Sequence, residues 1–493
     1  MRCNPHLYEA NACLFLRRMS EKYNRPISLA NIPEDEWELF SHLGIDLVWL
    51  MGVWQRSPGS RQKALLDPAL RKEYVQALPD WSAQDISGSP YAVYRYSLDH
   101  TLGQPTEIQE LKSILNKWDL GLVLDFVPNH LSLDHPWTLT YPELFVQGQD
   151  IDVRNHPEWF FATKRGIYLA HGRDPNFPPW TDTVQVNFYS NELRKALIAE
   201  LLGVAEICDG VRCDMAMLAL NDVFGEIWAD VISGCPRPET EFWAEAITQV
   251  KQQWPHFLFV AEAYWGLEGK LQSLGFDFTY DKLLYEKLRF STPDKIRSHL
   301  ISDASLHEHS AHFIENHDEL RAITAFGRER SLAAAVIMST IPGLRFFHDG
   351  QLDGRHIHLP IQMVREPYEV LDDEVKLFYD RLLVICSTPA FHEGNWEIRE
   401  TYPSWEENES HRNLLCWSWH YGEKTKIVIV NYSANEVQAR IRVPLRGSVL
   451  KQVKFYDELT GTVYVRDPLE VRSQGLYIAL GPYRAHIFDM SAD

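Results

Sequence analysis

No stretch of the sequence approaches 18 consecutive apolar residues, so it offers no candidate transmembrane helix. Cationic excess is missing too. The chain has 48 Lys and Arg against 68 Asp and Glu, a net charge of −20, which disfavours nonspecific attraction to phosphate backbones or anionic lipid. Its seven cysteines are an odd set at irregular spacing with no CxxC pair, which argues against a disulfide framework and for a reducing compartment. The opening stretch MRCNPHLYEANACLFLRRMSEKY lacks the basic start, long apolar run and small-residue cleavage site of a signal peptide. A cytoplasmic location is therefore expected. Internal repeats and low-complexity segments are also absent.

What is present is the composition of an ordinary soluble globular protein, 45% apolar and 24% charged, over 493 residues. That length is enough for more than one domain. Aromatic residues make up 12%, with 16 Trp among them, and aromatic faces suit the apolar faces of sugar rings as well as protein cores. The expected partner is uncharged: neither nucleic acid nor membrane.

Short apolar runs alternate with amphipathic helical stretches, the βα pattern of a parallel sheet. Eight strand candidates emerge, at 7–16, 45–54, 121–129, 209–216, 257–263, 276–280, 311–316 and 343–347. The expected fold class is α/β, a (β/α)8 TIM barrel. Residues 131–188 break the rhythm with aromatic residues scattered among Pro, Asp and His, and read as an inserted domain after the third strand. Residues 55–90 read as a second long loop. After residue 393 the texture becomes short alternating runs such as LLCWSWHY and KIVIVNYS, as in an antiparallel β-sandwich. The expected division is a barrel over 1–130 and 189–392, the insertion over 131–188, and a sandwich over 393–493.

The stretch GVRCDMAM, residues 210–217, places an Arg and an Asp inside an apolar strand-like run. Side chains on a strand alternate faces, so Arg212 and Asp214 project to one side and can share a site. Three comparable runs accompany it: LVLDFVPNH with Asp125 and His130, LFVAEAYW with Glu262, and HFIENHDE with His317 and Asp318. Each is apolar first and polar at its end, as barrel strands are when functional groups sit at their C-terminal ends. Taken alone, Arg212 with Asp214 also reads as a structural ion pair. Cys208 and Cys213 read as small buried hydrophobes, Asp125 as a brace within its strand, and His348 with Asp349 as either pocket lining or the barrel's end.

These four blocks, in order on the third, fourth, fifth and seventh strand candidates, resemble the α-amylase superfamily, glycoside hydrolase family thirteen. The resemblance covers nearly the whole chain. It implies that Asp214 is the catalytic nucleophile, Glu262 the general acid/base, and Asp318 the carboxylate that grips the sugar being cleaved. It also implies that His130 and His317 bind that sugar and that Arg212 holds the nucleophile ionised. Tyr91 in GSPYAVYRY resembles the family's stacking Tyr, and Trp265 beside Tyr264 lies where it helps desolvate Glu262. The chemistry needs two carboxyl groups of unlike pKa, one ionised to attack and one protonated to serve the leaving oxygen. Arg212 is expected to lower Asp214, and burial to raise Glu262.

The sequence opens on its first strand candidate and closes on the sandwich, which implies a minimal three-part enzyme acting on soluble α-1,4-glucans or maltooligosaccharides, an α-amylase. Two alternatives remain. One is an α-glucan transglycosylase, or glucanotransferase, using the same residues; the other is a noncatalytic glucan-binding protein on the same fold. No cofactor is expected. Relatives in the family carry a structural calcium ion between barrel and insertion, and Asn129 matches one of its ligands. Gln185, however, stands where an Asp is usual and Leu218 where a His is, so calcium is disfavoured here. Asp134, Asp152 and Asp174 are the carboxylates from which the insertion could rebuild a site.

Overall fold

The eight apolar runs form strands β1 (His6–Asn11), β2 (Leu47–Met51), β3 (Gly121–Phe126), β4 (Gly210–Cys213), β5 (Leu258–Ala261), β6 (Phe278–Tyr280), β7 (Ser310–His312) and β8 (Leu344–His348). The computed structural model describes residues 2–232, 235–302, 304–445 and 451–492. In it these strands close into a barrel in sequence order, each parallel to the next and β8 returning to β1. Barrel strands are covered by side chains inside and helices outside, which is why β2 and β5 read as continuous apolar runs and, like β4 with its Arg212, are buried at every position. The register sets Arg212 of β4 beside Asp125 of β3 and Val260 of β5, so the polar residues that follow each strand emerge at one end.

The structure revises the first expected strand. β1 stops at Asn11, whose side chain accepts hydrogen bonds from Cys13 N at 3.1 Å and Leu14 N at 3.3 Å and so caps the helix Ala12–Lys22. The apolar run continues because Leu14, Phe15 and Leu16 lie on the buried face of that helix. Residues 55–90 are likewise not a plain loop. They contain the helices Pro58–Leu66 and Pro68–Ala77, each with a capping side chain, Ser57 or Asp67, directly before a proline in the first turn. That cap-then-proline order is a helix-start signal present in the sequence.

Between β3 and β4 the chain forms two small sheets. His130–Ser132 pairs with Thr183–Gln185, and Tyr168–Ala170 sits between Gln147–Gly148 and Phe160–Ala162. Beyond β8 and the helix Asp373–Cys386, a six-stranded and a three-stranded antiparallel sheet face each other. Leu414, Ile427, Ile429 and Phe488 from the first meet Val437, Ile441 and Ile478 from the second. Strand Val437–Ile441 alternates buried and half-buried positions, as a sandwich strand with one covered face does. Among the described residues no helix is long and apolar enough to cross a membrane.

Candidate active site

The polar ends of β3, β4, β5 and β7 meet at the barrel's C-terminal mouth, around the Arg212 guanidinium. Nη1 donates to Asp214 Oδ1 at 2.7 Å, Nη2 forms an ion pair with Glu262 Oε2 at 2.8 Å, and Nε donates to the Tyr280 hydroxyl at 3.3 Å. Aromatic rings of Trp49, Tyr91 and Tyr280 lie 5.3, 5.1 and 5.7 Å from its central carbon, close enough for their faces to favour the cation. Arg212 therefore spans two carboxylates rather than serving Asp214 alone. Glu262 is held further by the Met215 N–H at 2.7 Å and the Tyr264 hydroxyl at 2.8 Å. Met215 has φ +42° and Trp265 φ +65°, left-handed backbone that costs a side-chain-bearing residue about 1 kcal/mol or more and gathers at functional sites.

Electrostatics follow from this burial. Burial is the largest influence on Glu262 and on neighbouring Asp214, and it raises both, with the Arg212 charge opposing; Glu262 is pushed up to about 7. Arg212 lowers Asp214 as expected, but desolvation outweighs a cation shared between two acids, so the net shift is upward. Asp318 behaves differently. Burial pushes it up as well, but the facing His317 and Arg212 prevail and hold it well below the usual carboxylate range.

His317 lies in a chain of contacts. Its Nδ1 meets Glu9 Oε1 at 2.5 Å, and its Nε2 lies 2.8 Å from the Tyr91 hydroxyl and 3.1 Å from Asp318 Oδ2. Burial would lower this imidazole, yet the Asp318 and Glu9 carboxylates raise it well above its ordinary value, so it is cationic. The Tyr91 ring stacks on it, centroids 5.3 Å apart. His130 is buried against Trp180, with centroids at 4.9 Å, and desolvation drops it to about 4, leaving it neutral at pH 7. Tyr91, His130, Asp214, Glu262, Trp265 and Asp318 all line one cavity of about 920 Å³, in the range of small-ligand sites; Arg212 and His317 lie behind its wall.

Other sequence candidates fall outside the cavity. Asp125 accepts from Trp49 Nε1 at 3.2 Å and from Gly52 N at 2.8 Å, a brace between β2 and β3. Asp349 is held by Arg18 and Tyr8, and His348 Nδ1 by Glu315. Cys208 and Cys213 are buried, and burial pushes the Cys208 thiol up to about 12. Two participants, Glu9 and Phe177, escaped the sequence reading, and Tyr264 was read only as a neighbour of Glu262. Glu9 was visible as a charge inside an apolar run, the same signal that marked Arg212. The Tyr264 hydroxyl bond to Glu262 has no signal beyond spacing. Phe177, exposed on the cavity rim, has none.

At the insertion's base the side chains of Asn129 and Gln185 bond to each other. The Gln185 side-chain N–H group donates to Asn129 O at 2.9 Å, Asn129 Oδ1 at 3.0 Å and Val186 O at 3.1 Å, while Asn129 Nδ2 donates back to Gln185 Oε1 at 3.3 Å. Oxygens that would ligate a hard cation already face amide hydrogens. The insertion's carboxylates accept hydrogen bonds of their own: Asp134 from Ser57 and Gly59 N, Asp152 from Gln149 N, and Asp174 from Asn176 N and Phe177 N.

No family model matches the chain. Alpha-amylase MalA of Haloarcula japonica is 25% identical over 331 residues, covering 65% of this chain and 41% of that protein. Alpha-amylase 3 of Dictyoglomus thermophilum is 22% identical over 390 residues, 73% of this chain and 67% of its own length. An alpha-1,4-glucan:maltose-1-phosphate maltosyltransferase of Picrophilus torridus is 22% identical, over 76% of this chain and 56% of that protein. The chain thus spans from under half to two thirds of these curated relatives. The solved structure of a noncanonic maltogenic alpha-amylase, AmyB of Thermotoga neapolitana, superposes with a TM-score of 0.69 at 18% identity, covering 99% of this chain and 98% of that one. In sequence the chain is similar to these α-amylases and this maltosyltransferase, and in architecture to the maltogenic amylase.

Proposed function

We propose that this protein is a retaining glycoside hydrolase that cleaves α-1,4-glucosidic bonds of soluble glucans or maltooligosaccharides. The observation that carries the reading is one guanidinium holding Asp214 and Glu262 together at 2.7 and 2.8 Å, a close pairing of the kind that double displacement needs. In the first step an Asp214 oxygen bonds to the anomeric carbon as the bond to the leaving oxygen breaks, and the Glu262 proton passes to that oxygen. In the second, Glu262 takes a proton from water, whose oxygen displaces Asp214. Asp318, anionic beside cationic His317, accepts hydrogen bonds from sugar hydroxyls, while Tyr91 and Trp265 offer ring faces.

A transglycosylase is the second reading, favoured by the maltosyltransferase among the relatives, because a sugar hydroxyl can resolve the same covalent intermediate. Incubation with maltotriose separates the readings. Hydrolysis gives glucose and maltose with rising reducing ends; products longer than maltotriose at constant reducing ends would replace hydrolysis with transfer, and no reaction would leave a binding protein.

Activity should follow a bell in pH. Glu262 donates only while protonated, so kcat/KM falls as pH rises through about 7. Asp214, raised by burial, places the acidic limb above the ordinary aspartate range near 3.9. A profile still rising at pH 9 would contradict these roles.

The same reading carries no structural calcium, which the Gln185 and Asn129 amide pairing supports. Dialysis against a calcium-selective chelator is expected to leave activity and melting temperature unchanged. A loss of several degrees restored by calcium alone would show the opposite.

A further inference from the structure

Three histidines in and after the connection from β6 to β7 take no part in the chemistry above. His299 lies on helix Pro293–Ser302, His307 on the short helix Ala304–Glu308 and His312 at the end of β7. They converge on Asp281, the residue after β6. Its Oδ2 lies 3.1 Å from His299 Nε2, 3.1 Å from His312 Nδ1 and 3.9 Å from His307 Nδ1. All four side chains are buried, His307 at 2% exposure and His312 at 0%.

The hydrogen positions are constrained. His307 Nε2 is 2.7 Å from His299 O, and His312 Nε2 is 2.7 Å from Pro342 O. A carbonyl oxygen only accepts, so both Nε2 atoms carry hydrogen, and in a neutral ring Nδ1 is then a bare lone pair. Both Nδ1 atoms are buried without a hydrogen-bond partner, and both lie within 4 Å of a carboxylate oxygen. Lone pair against carboxylate is repulsive. Protonating both rings would instead bury two like charges on a single acid. An imidazole that donates one N–H to a backbone carbonyl and aims its other nitrogen at a shared point is how proteins orient metal-bound histidine.

We propose that Asp281, His299 and His307 bind a divalent first-row ion of the zinc type, with water free to take the fourth position. Donor atoms of these three residues lie within 4.8 Å of one another. A tetrahedral zinc with bonds of about 2.0–2.2 Å sets its donors about 3.3–3.5 Å apart, which small side-chain shifts supply. Two imidazoles and one carboxylate suit zinc rather than calcium, which takes oxygen donors. A second grouping found among the described residues, His6, Asp46 and His392, is already served by cations: Arg2 pairs with Asp46 at 2.6 Å, and Arg345 lies 3.3 Å from His6. A bound ion at Asp281 pins the connecting helices to the barrel and stiffens the cavity wall, which Tyr280, Asp281 and His299 line.

The test titrates Co²⁺ into chelator-stripped full-length protein and follows the intense visible absorption of four-coordinate cobalt, with melting curves in Zn²⁺ alongside. One equivalent is expected to bind, displaced by Zn²⁺ and not by Ca²⁺, and Zn²⁺ should raise the melting temperature by a few degrees. His307→Gln and His299→Gln should each abolish the band; if one does not fold, the other carries the test. No band in the native protein, or a band that persists in a folded variant, overturns the proposal.

Discussion

Asp214→Asn and Glu262→Gln are each expected to lower turnover of maltooligosaccharides by about 10³-fold or more, since acid–base catalysis alone supplies about 10²–10⁴-fold. Each replacement keeps the shape and the hydrogen-bonding capacity of a group buried beside Arg212. Neither can attack as a nucleophile or exchange a proton. Folding should survive, because one of the two carboxylates still pairs with the guanidinium. Asp318→Asn should be impaired too, having lost the charge that His317 faces at 3.1 Å. Initial rates of reducing-end release with melting curves for each variant check this. Activity near the unsubstituted level in folded Glu262→Gln would remove it from the chemistry.

Arg212→Gln should have the second-largest effect, on stability and pH profile together. Removing the cation leaves Asp214 and Glu262, each about 5% exposed or less, as buried acids without a compensating charge. Breaking a buried pair in this way costs about 3–5 kcal/mol, and protonating the acids relieves part of it. The sign follows from the folded state: Arg212 opposes the raised values of both acids, so its loss moves both higher. Asp214 then ionises only at higher pH, and the acidic limb shifts upward while the maximum falls. Arg212→Lys, which keeps the charge but not the two-pronged reach, should recover part of the stability. An acidic limb that stays in place in folded, weakly active Arg212→Gln would disconnect Arg212 from Asp214.

The barrel strands were legible chiefly because a strand buried on both faces is largely apolar, as β2 and β5 are, and polar residues at the ends of such runs marked the mouth. Arg212 and Asp214 stood out as charges where charges are costly. Glu9 met the same criterion, but its meaning depends on His317, 308 residues away, and only closure of β8 against β1 brings them together. The two helices within 55–90 were written in Ser57–Pro58 and Asp67–Pro68 and were obscured by their weak amphipathicity. Sharing of Arg212 between two acids was not readable, since alternation on β4 says nothing of where β5 delivers Glu262. Nor was the pairing of Gln185 with Asn129: the sequence showed a lost carboxylate, and only the fold shows amide hydrogens facing the remaining oxygens.

The most direct measurement is the configuration of the first product. Proton NMR of maltooligosaccharide cleavage, recorded before mutarotation, should show the α-anomer accumulating first, because displacement by Asp214 and then by water inverts the anomeric carbon twice. A β-anomer released first, or no new anomeric signal at all, would contradict the pairing of Asp214 as nucleophile with Glu262 as acid and base.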